Sequence, residues 1–227
     1  MLMPIPTPYI AAAAADPTIS FGAGGYNGSN ISTYNFGTKS VGAADASRYV
    51  LVAVTAQDNA SDDPSSVTVG GNSATKIFGG INANLSGTYV KHSFWIVALA
   101  SGTTANVTVT FPSAQYDCTI GVYATYDLSA PTTPVVTNSA NTSTATSGSL
   151  TLAAGAVAGT IGVGACATRS AGTITISSDF TEDYEETSNN PDTGYGSGTF
   201  ATSGNKTFGW AFSFGSNTKV IAGLLLQ

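Results

Sequence analysis

The chain has 227 residues, a net charge of −6, 42% hydrophobic residues and only 9% charged ones. That length carries enough apolar side chains to bury a substantial core, as one large β-sandwich or two small modules, and the alternating apolar runs exclude a disordered chain. The acidic balance excludes a nucleic-acid binder, which would carry a basic stripe, and it disfavours anionic membrane surfaces.

Ordinary soluble domains carry roughly 25% charged residues. Here Ser, Thr, Asn and Gly supply the polarity instead. These residues favour turns and strands and weaken helices, so the composition predicts an all-β protein. No span reaches the roughly 20 apolar residues of a membrane helix.

Residues 1–17 read as an extended arm. Pro4, Pro6 and Pro8 favour polyproline geometry, and the alanines at 11–15 are too few to hold a helix alone. The absence of Lys or Arg before Lys39 and the three prolines in the apolar stretch argue against a secretion signal. Gly22-Ala-Gly-Gly25 and Asn27-Gly28 are expected to form a flexible turn region before the first core strands.

A first half-module is expected from about residue 31 to 130. Arg48–Ala56 is a nearly continuous apolar run, as in a central strand, and a polar loop over Asp58–Pro64 precedes short strands at 66–69 and 73–78. Thr88–Leu99 alternates: Val90, His92, Phe94 and Ile96 share one face, and Tyr89, Lys91, Ser93 and Trp95 the other. Strands over 105–111 and 119–128 close the half. Residues 131–146, rich in Thr, Ser, Asn and Pro, read as a linker. The second half-module runs from 147 to 227, and its last apolar run, Lys219–Leu226, is expected inside a sheet.

The second half repeats the strand pattern of the first without its residues. Thr104–Ser113 lies on Thr207–Ser216 without a gap, so Val107, Val109 and Phe111 fall on Trp210, Phe212 and Phe214. Ile120–Tyr126 lies on Val220–Leu226, Val50–Val54 on Ile161–Ala165, and Ser66–Val69 on Thr173–Ile176. Short strands with Gly-rich turns at this spacing predict an antiparallel two-sheet β-sandwich or jelly roll built from two pseudo-repeated halves. A single compact sandwich over residues 18–227 is preferred to two tandem immunoglobulin-like modules, because neither half carries its own charged surface.

Candidate chemistry is sparse. His92 is the only histidine, so every Ser-His or Cys-His pairing would have to use it, and its apolar neighbours mark it as a core-edge residue. No Cys/His spacing suits zinc, and neither a P-loop nor a dinucleotide fingerprint is present. Cys118 and Cys166 each sit in an apolar strand and read as free buried thiols. The densest charge is Asp179–Glu186, where Asp179, Glu182 and Asp183 are weak candidates for Ca²⁺ ligands, with Glu185 and Glu186 beside them. Asp58, Asp62 and Asp63 are the equivalent group in the first half. Strand alternation splits such carboxylates between two faces, so a charge-protected edge strand is the better reading of 179–186. Tyr89, Trp95, Tyr123, Tyr184 and Tyr195 would suit a carbohydrate-stacking platform if exposed, against the plainer reading of cross-strand packing. No cofactor and no catalytic residue is expected.

The segments Tyr49-Val-Leu-Val-Ala-Val54, Ser66-Val-Thr-Val-Gly-Gly71, His92-Ser-Phe-Trp-Ile96 and Val107-Thr-Val-Thr-Phe111 resemble the repeat of a diffuse group of bacterial and phage β-sandwich proteins. The resemblance covers about residues 32–227. It implies a non-enzymatic structural protein on the surface of a bacteriophage virion, as a head decoration, spike or tail component. The implied partners are other virion proteins and copies of itself. In that reading Leu2, Met3, Ile5, Tyr9 and Ile10 anchor the arm on a neighbouring subunit. The alternative is an extracellular module binding a cell-surface glycan through Tyr89, Trp95, Tyr184 and Tyr195.

Overall fold

In a computed structural model the described residues are 15–58, 62–80, 83–84, 87–142, 145–153, 157–169, 172–187, 191–213 and 218–227. They form strands throughout, with no helix among them. The first half contributes β1 (Thr18–Asn27), β2 (Ile31–Ser40), β3 (Tyr49–Asp58), β4 (Ser66–Val69), β5 (Asn72–Ser73), β6 (Thr75–Gly79), β7 (Ala83–Asn84), β8 (Tyr89–Ala98), β9 (Thr104–Gln115) and β10 (Asp117–Tyr126). The second contributes β11 (Val136–Thr142), β12 (Ser147–Leu152), β13 (Thr160–Thr168), β14 (Ile174–Ser178), β15 (Thr181–Glu186), β16 (Asp192–Phe200), β17 (Lys206–Phe212) and β18 (Lys219–Leu226).

The duplication is a duplication of topology. In the first half the large sheet runs β1-β10-β3-β8-β6, and in the second β11-β18-β13-β16-β15. The small sheets run β2-β9-β4-β5 and β12-β17-β14. In each half the first strand pairs with the last and the second with the next to last, every pair antiparallel. The protein is therefore all-β, built of antiparallel sandwiches from two pseudo-repeated halves.

The antiparallel sandwich architecture is laid out in four sheets, and each half closes its own core. Val50, Val52, Val54, Val67, Val107, Val109 and Ile120 fill the first. Leu150, Ile174, Phe208, Trp210, Phe212 and Leu225 fill the second. Phe214, expected beside Trp210 and Phe212, lies outside the described residues. The large sheets then pack face to face through a third core, where Leu51, Phe94, Ile96 and Tyr123 meet Ile161, Val163, Tyr195 and Leu224. The result is a four-layer stack. Each fully buried aliphatic or Phe side chain in that seam contributes about 1.5–3 kcal/mol relative to exposure, so the halves form one unit despite separate cores.

Two boundaries move. The glycines at 22–25 lie inside β1 rather than in a turn region. A side chain at Gly24 would collide with the Tyr184 ring and one at Gly22 with the Ser40 carbonyl, so close approach explains their composition. Residues 136–142 of the expected linker form β11, an edge strand held by backbone pairing to β18. Its polarity is that of an edge, and only Val136 and Ala140 pack on the core. The last strand, β18, lies between β11 and β13, inside its sheet as expected. Of the arm, only residues 15–17 are described, and its proposed anchors Leu2, Met3, Ile5, Tyr9 and Ile10 lie outside the described residues.

Candidate functional site

The most chemically varied cluster lies in the seam between the halves. His92 on β8 is fully buried, as are Thr55 on β3 and Tyr195 on β16. The Nε2 of His92 is 3.0 Å from the Val220 carbonyl oxygen, which only accepts, so Nε2 carries the proton. Nδ1 then accepts from the Thr55 hydroxyl at 2.8 Å, and Thr55 Oγ1 accepts from the Tyr195 hydroxyl at 2.8 Å. The Thr119 carbonyl oxygen, 3.0 Å away, is a second acceptor for Tyr195. Burial depresses His92 from 6.5 to about 4, outweighing the favourable Val220 bond. The imidazole is a neutral relay that ties the two halves together. Its location refines the sequence reading: it is on a core face, and that core is the one between the halves.

The aromatic residues expected to stack sugars do not form a platform. Trp95 points into the first core at 6% exposure, and its indole N–H donates to Ser93 Oγ at 2.9 Å. Tyr195 is fully buried, and Tyr184 stacks on it with ring centroids 6.3 Å apart. Phe21 bridges Tyr184 to the buried Tyr123 at 6.4 and 5.5 Å. These rings plug the seam, because both faces of each large sheet are covered and neither keeps a wet side. Tyr89 is half-buried in β8, away from that cluster. The glycan-contact expectation is thereby corrected for Trp95 and Tyr195.

The carboxylates disperse in the same way. Asp63 takes Lys76 and Lys91, the latter at 3.0 Å; Asp62 accepts from Ser113 at 2.6 Å; Asp58 accepts from Gln115 at 2.9 Å. Asp179 accepts the Thr207 N–H at 2.7 Å. Strand β15 is an edge strand, as expected, but its glutamates are engaged: Glu182 accepts the Ile176 N–H at 2.9 Å and Glu185 accepts the Ile174 N–H. A bulge between Glu182 and Tyr184 brings both glutamates to one side. Asp183 turns the other way, towards Ser197 and Tyr123, and burial raises its carboxyl. Asp179, Glu182 and Asp183 therefore share no site, and no group of three His, Cys, Asp or Glu suited to a metal occurs among the described residues.

Cys118 lies in the first core and Cys166 in the second, both free and buried. Burial pushes both thiols up, away from the nucleophilic thiolate.

Several buried polar groups were not marked by the sequence. Arg48 is 1% exposed, and its guanidinium donates to the carbonyls of Leu99, Gly42, Ala43 and Ser101 at 2.6–2.9 Å. Asp192 and Lys219 flank Thr168 in one row of the second large sheet, both fully buried. Asp117, Gln57 and Thr119 lie beside the His92 relay. Only their position within apolar runs could have pointed to them.

No family model matches the chain, and no curated protein matches it. Among solved structures, a conserved protein of unknown function from Pseudomonas aeruginosa PAO1 is 11% identical, covering 95% of this chain and 85% of its own, with a TM-score of 0.27. An anti-sigma factor domain-containing protein is 8% identical over 89% of this chain and 88% of its own, with a TM-score of 0.22. At those scores neither likeness bears on fold or function.

Proposed function

We propose that this chain is a non-enzymatic structural protein of a bacteriophage virion surface, attached through its N-terminal arm. The observation that carries the non-enzymatic part is the engagement of His92. The single histidine is sealed in the seam with both ring nitrogens bonded, so it is withheld from general-base or nucleophile-activating work. Asp62, Asp63, Asp179 and Glu182 are committed one by one to a hydroxyl, a lysine and two backbone amides. The virion assignment draws its support from the strand-pattern resemblance, the low side-chain charge and the proline-rich arm.

In this reading the stacked sandwiches are a rigid body and the arm supplies attachment. An arm that orders on a neighbour exchanges conformational entropy for apolar contact and strand pairing. Light scattering on the full chain and on a form lacking residues 1–16 tests it. A defined oligomer that becomes folded monomers on truncation supports the arm as an assembly element. An oligomer unchanged by truncation overturns it.

A further inference from the structure

The face that the first half turns to the second ends in two adjacent rows. Asp117, Gln57 and Val90 form one, and Thr119, Thr55 and His92 the next. Directly paired residues of antiparallel strands point the same way, so these side chains share one face. It is the seam face, since the alternate residues Ala56 and Cys118 lie in the first core.

Three oxygens on this patch have no hydrogen-bond partner among the described residues: Asp117 Oδ1, Gln57 Oε1 and Thr119 Oγ1. Their residues are 3%, 5% and 0% exposed. Asp117 and Gln57 are directly opposed across β10 and β3, so two electron-rich oxygens face one region of low dielectric. No lysine or arginine pairs with Asp117 among the described residues. A buried carboxylate without counter-charge is costly, and each buried polar atom left over asks for a proton, a water or an ion.

We infer that Asp117, Gln57 and Thr119 form an oxygen-lined site in the seam for a small hard monovalent cation, with sodium as the fitting ion. The donor set contains oxygen alone, which selects against soft metals. His92 cannot join it, because both ring nitrogens are already used. One carboxylate neutralises one positive charge, whereas a divalent ion would leave net charge buried.

Thermal unfolding of the full chain in sodium chloride against choline chloride at equal ionic strength tests the site, with calcium chloride as a third arm. Sodium should raise the midpoint by a few degrees in a saturable way, and Asp117→Asn should remove the difference. Should that variant not fold, Thr119→Ala should move the sodium midpoint to higher concentration. Equal midpoints in sodium and choline, or an unchanged sodium response in the variants, overturn the site. A calcium-specific response lost in Asp117→Asn overturns the monovalent assignment.

Discussion

The Tyr195 hydroxyl, carried by the second half, lies 2.8 Å from Thr55 Oγ1 of the first and 3.0 Å from the Thr119 carbonyl oxygen. One phenol thus engages two strands of the opposite sandwich at full burial. Tyr195→Phe keeps the ring and deletes the donor, leaving buried acceptors behind. The expected cost is about 1–3 kcal/mol in chemical denaturation. A loss within error of zero would mean that water replaces the hydroxyl.

The pairing of Glu182 and Glu185 with β14 gives a second test. In the first half the corresponding edge, on β4, is covered by β5 through Thr68↔Ser73 and Val69↔Asn72. In the second half two carboxylates cover the exposed amides of Ile174 and Ile176 instead. Replacing both glutamates by alanine frees a strand edge. Light scattering should show increased self-association, and denaturation a loss of about 1–3 kcal/mol. Gln at both positions keeps an acceptor and should restore most of each.

Arg48 holds the loops at one end of the first half with four carbonyl acceptors. Lysine cannot reproduce a planar fork. Arg48→Lys should therefore cost roughly 3 kcal/mol or more, the range for breaking a buried charged network. The unfolding midpoint in guanidinium chloride reads this directly.

Acid sensitivity follows from His92. Its folded value near 4 lies below the unfolded 6.5, so the folded state binds fewer protons in between. The stability contributed is fully present above 6.5 and is lost as pH falls through about 4, to a total on the order of 3 kcal/mol. Asp117 acts in the opposite sense. Its raised value gives a contribution fully present below 3.8 and lost as pH rises through about 8. Stability-pH profiles of wild type, His92→Gln and Asp117→Asn separate the two. The His92 variant should remove a rise in stability between about pH 4 and 6.5, and the Asp117 variant a fall between about pH 3.8 and 8.

The two small sheets were legible in register as well as in type. Val67↔Val109 and Val69↔Val107 in the first half reappear as Ile174↔Phe212 and Ile176↔Trp210 in the second, as the gapless alignment requires. One face of those sheets is wet, so alternation marks the phase. The large sheets misled. Val50 and Ile120 face the core of their own half, but aligned Ile161 faces the seam and aligned Val220 sits beside it. An odd slip exchanges the two faces of a strand. A strand buried on both sides writes an unbroken apolar run, in which such a slip leaves no trace. The same concealment hid the seam itself, and with it the buried roles of Tyr195 and His92.

Nesting the first strand of each half against its last has a consequence for how the molecule is oriented. Thr18 is opposite Tyr126 and Val136 opposite Leu225, while the Ala130 N–H donates to the Gln227 carbonyl at 2.9 Å. Asp16, Pro17, Asp127, Ser129, Gly159 and Gln227 accordingly line one shallow hollow. The root of the arm, the crossing between sandwiches and the final residue all gather at one pole. The last residues of β1, β3 and β13 lie at the other, where Arg169 reaches Thr88 across the halves. The body is polar in the geometric sense, with one end of the strands at the hollow and the other at the Arg169–Thr88 contact. Substitutions at the Arg169–Thr88 end would leave the residues of the hollow untouched.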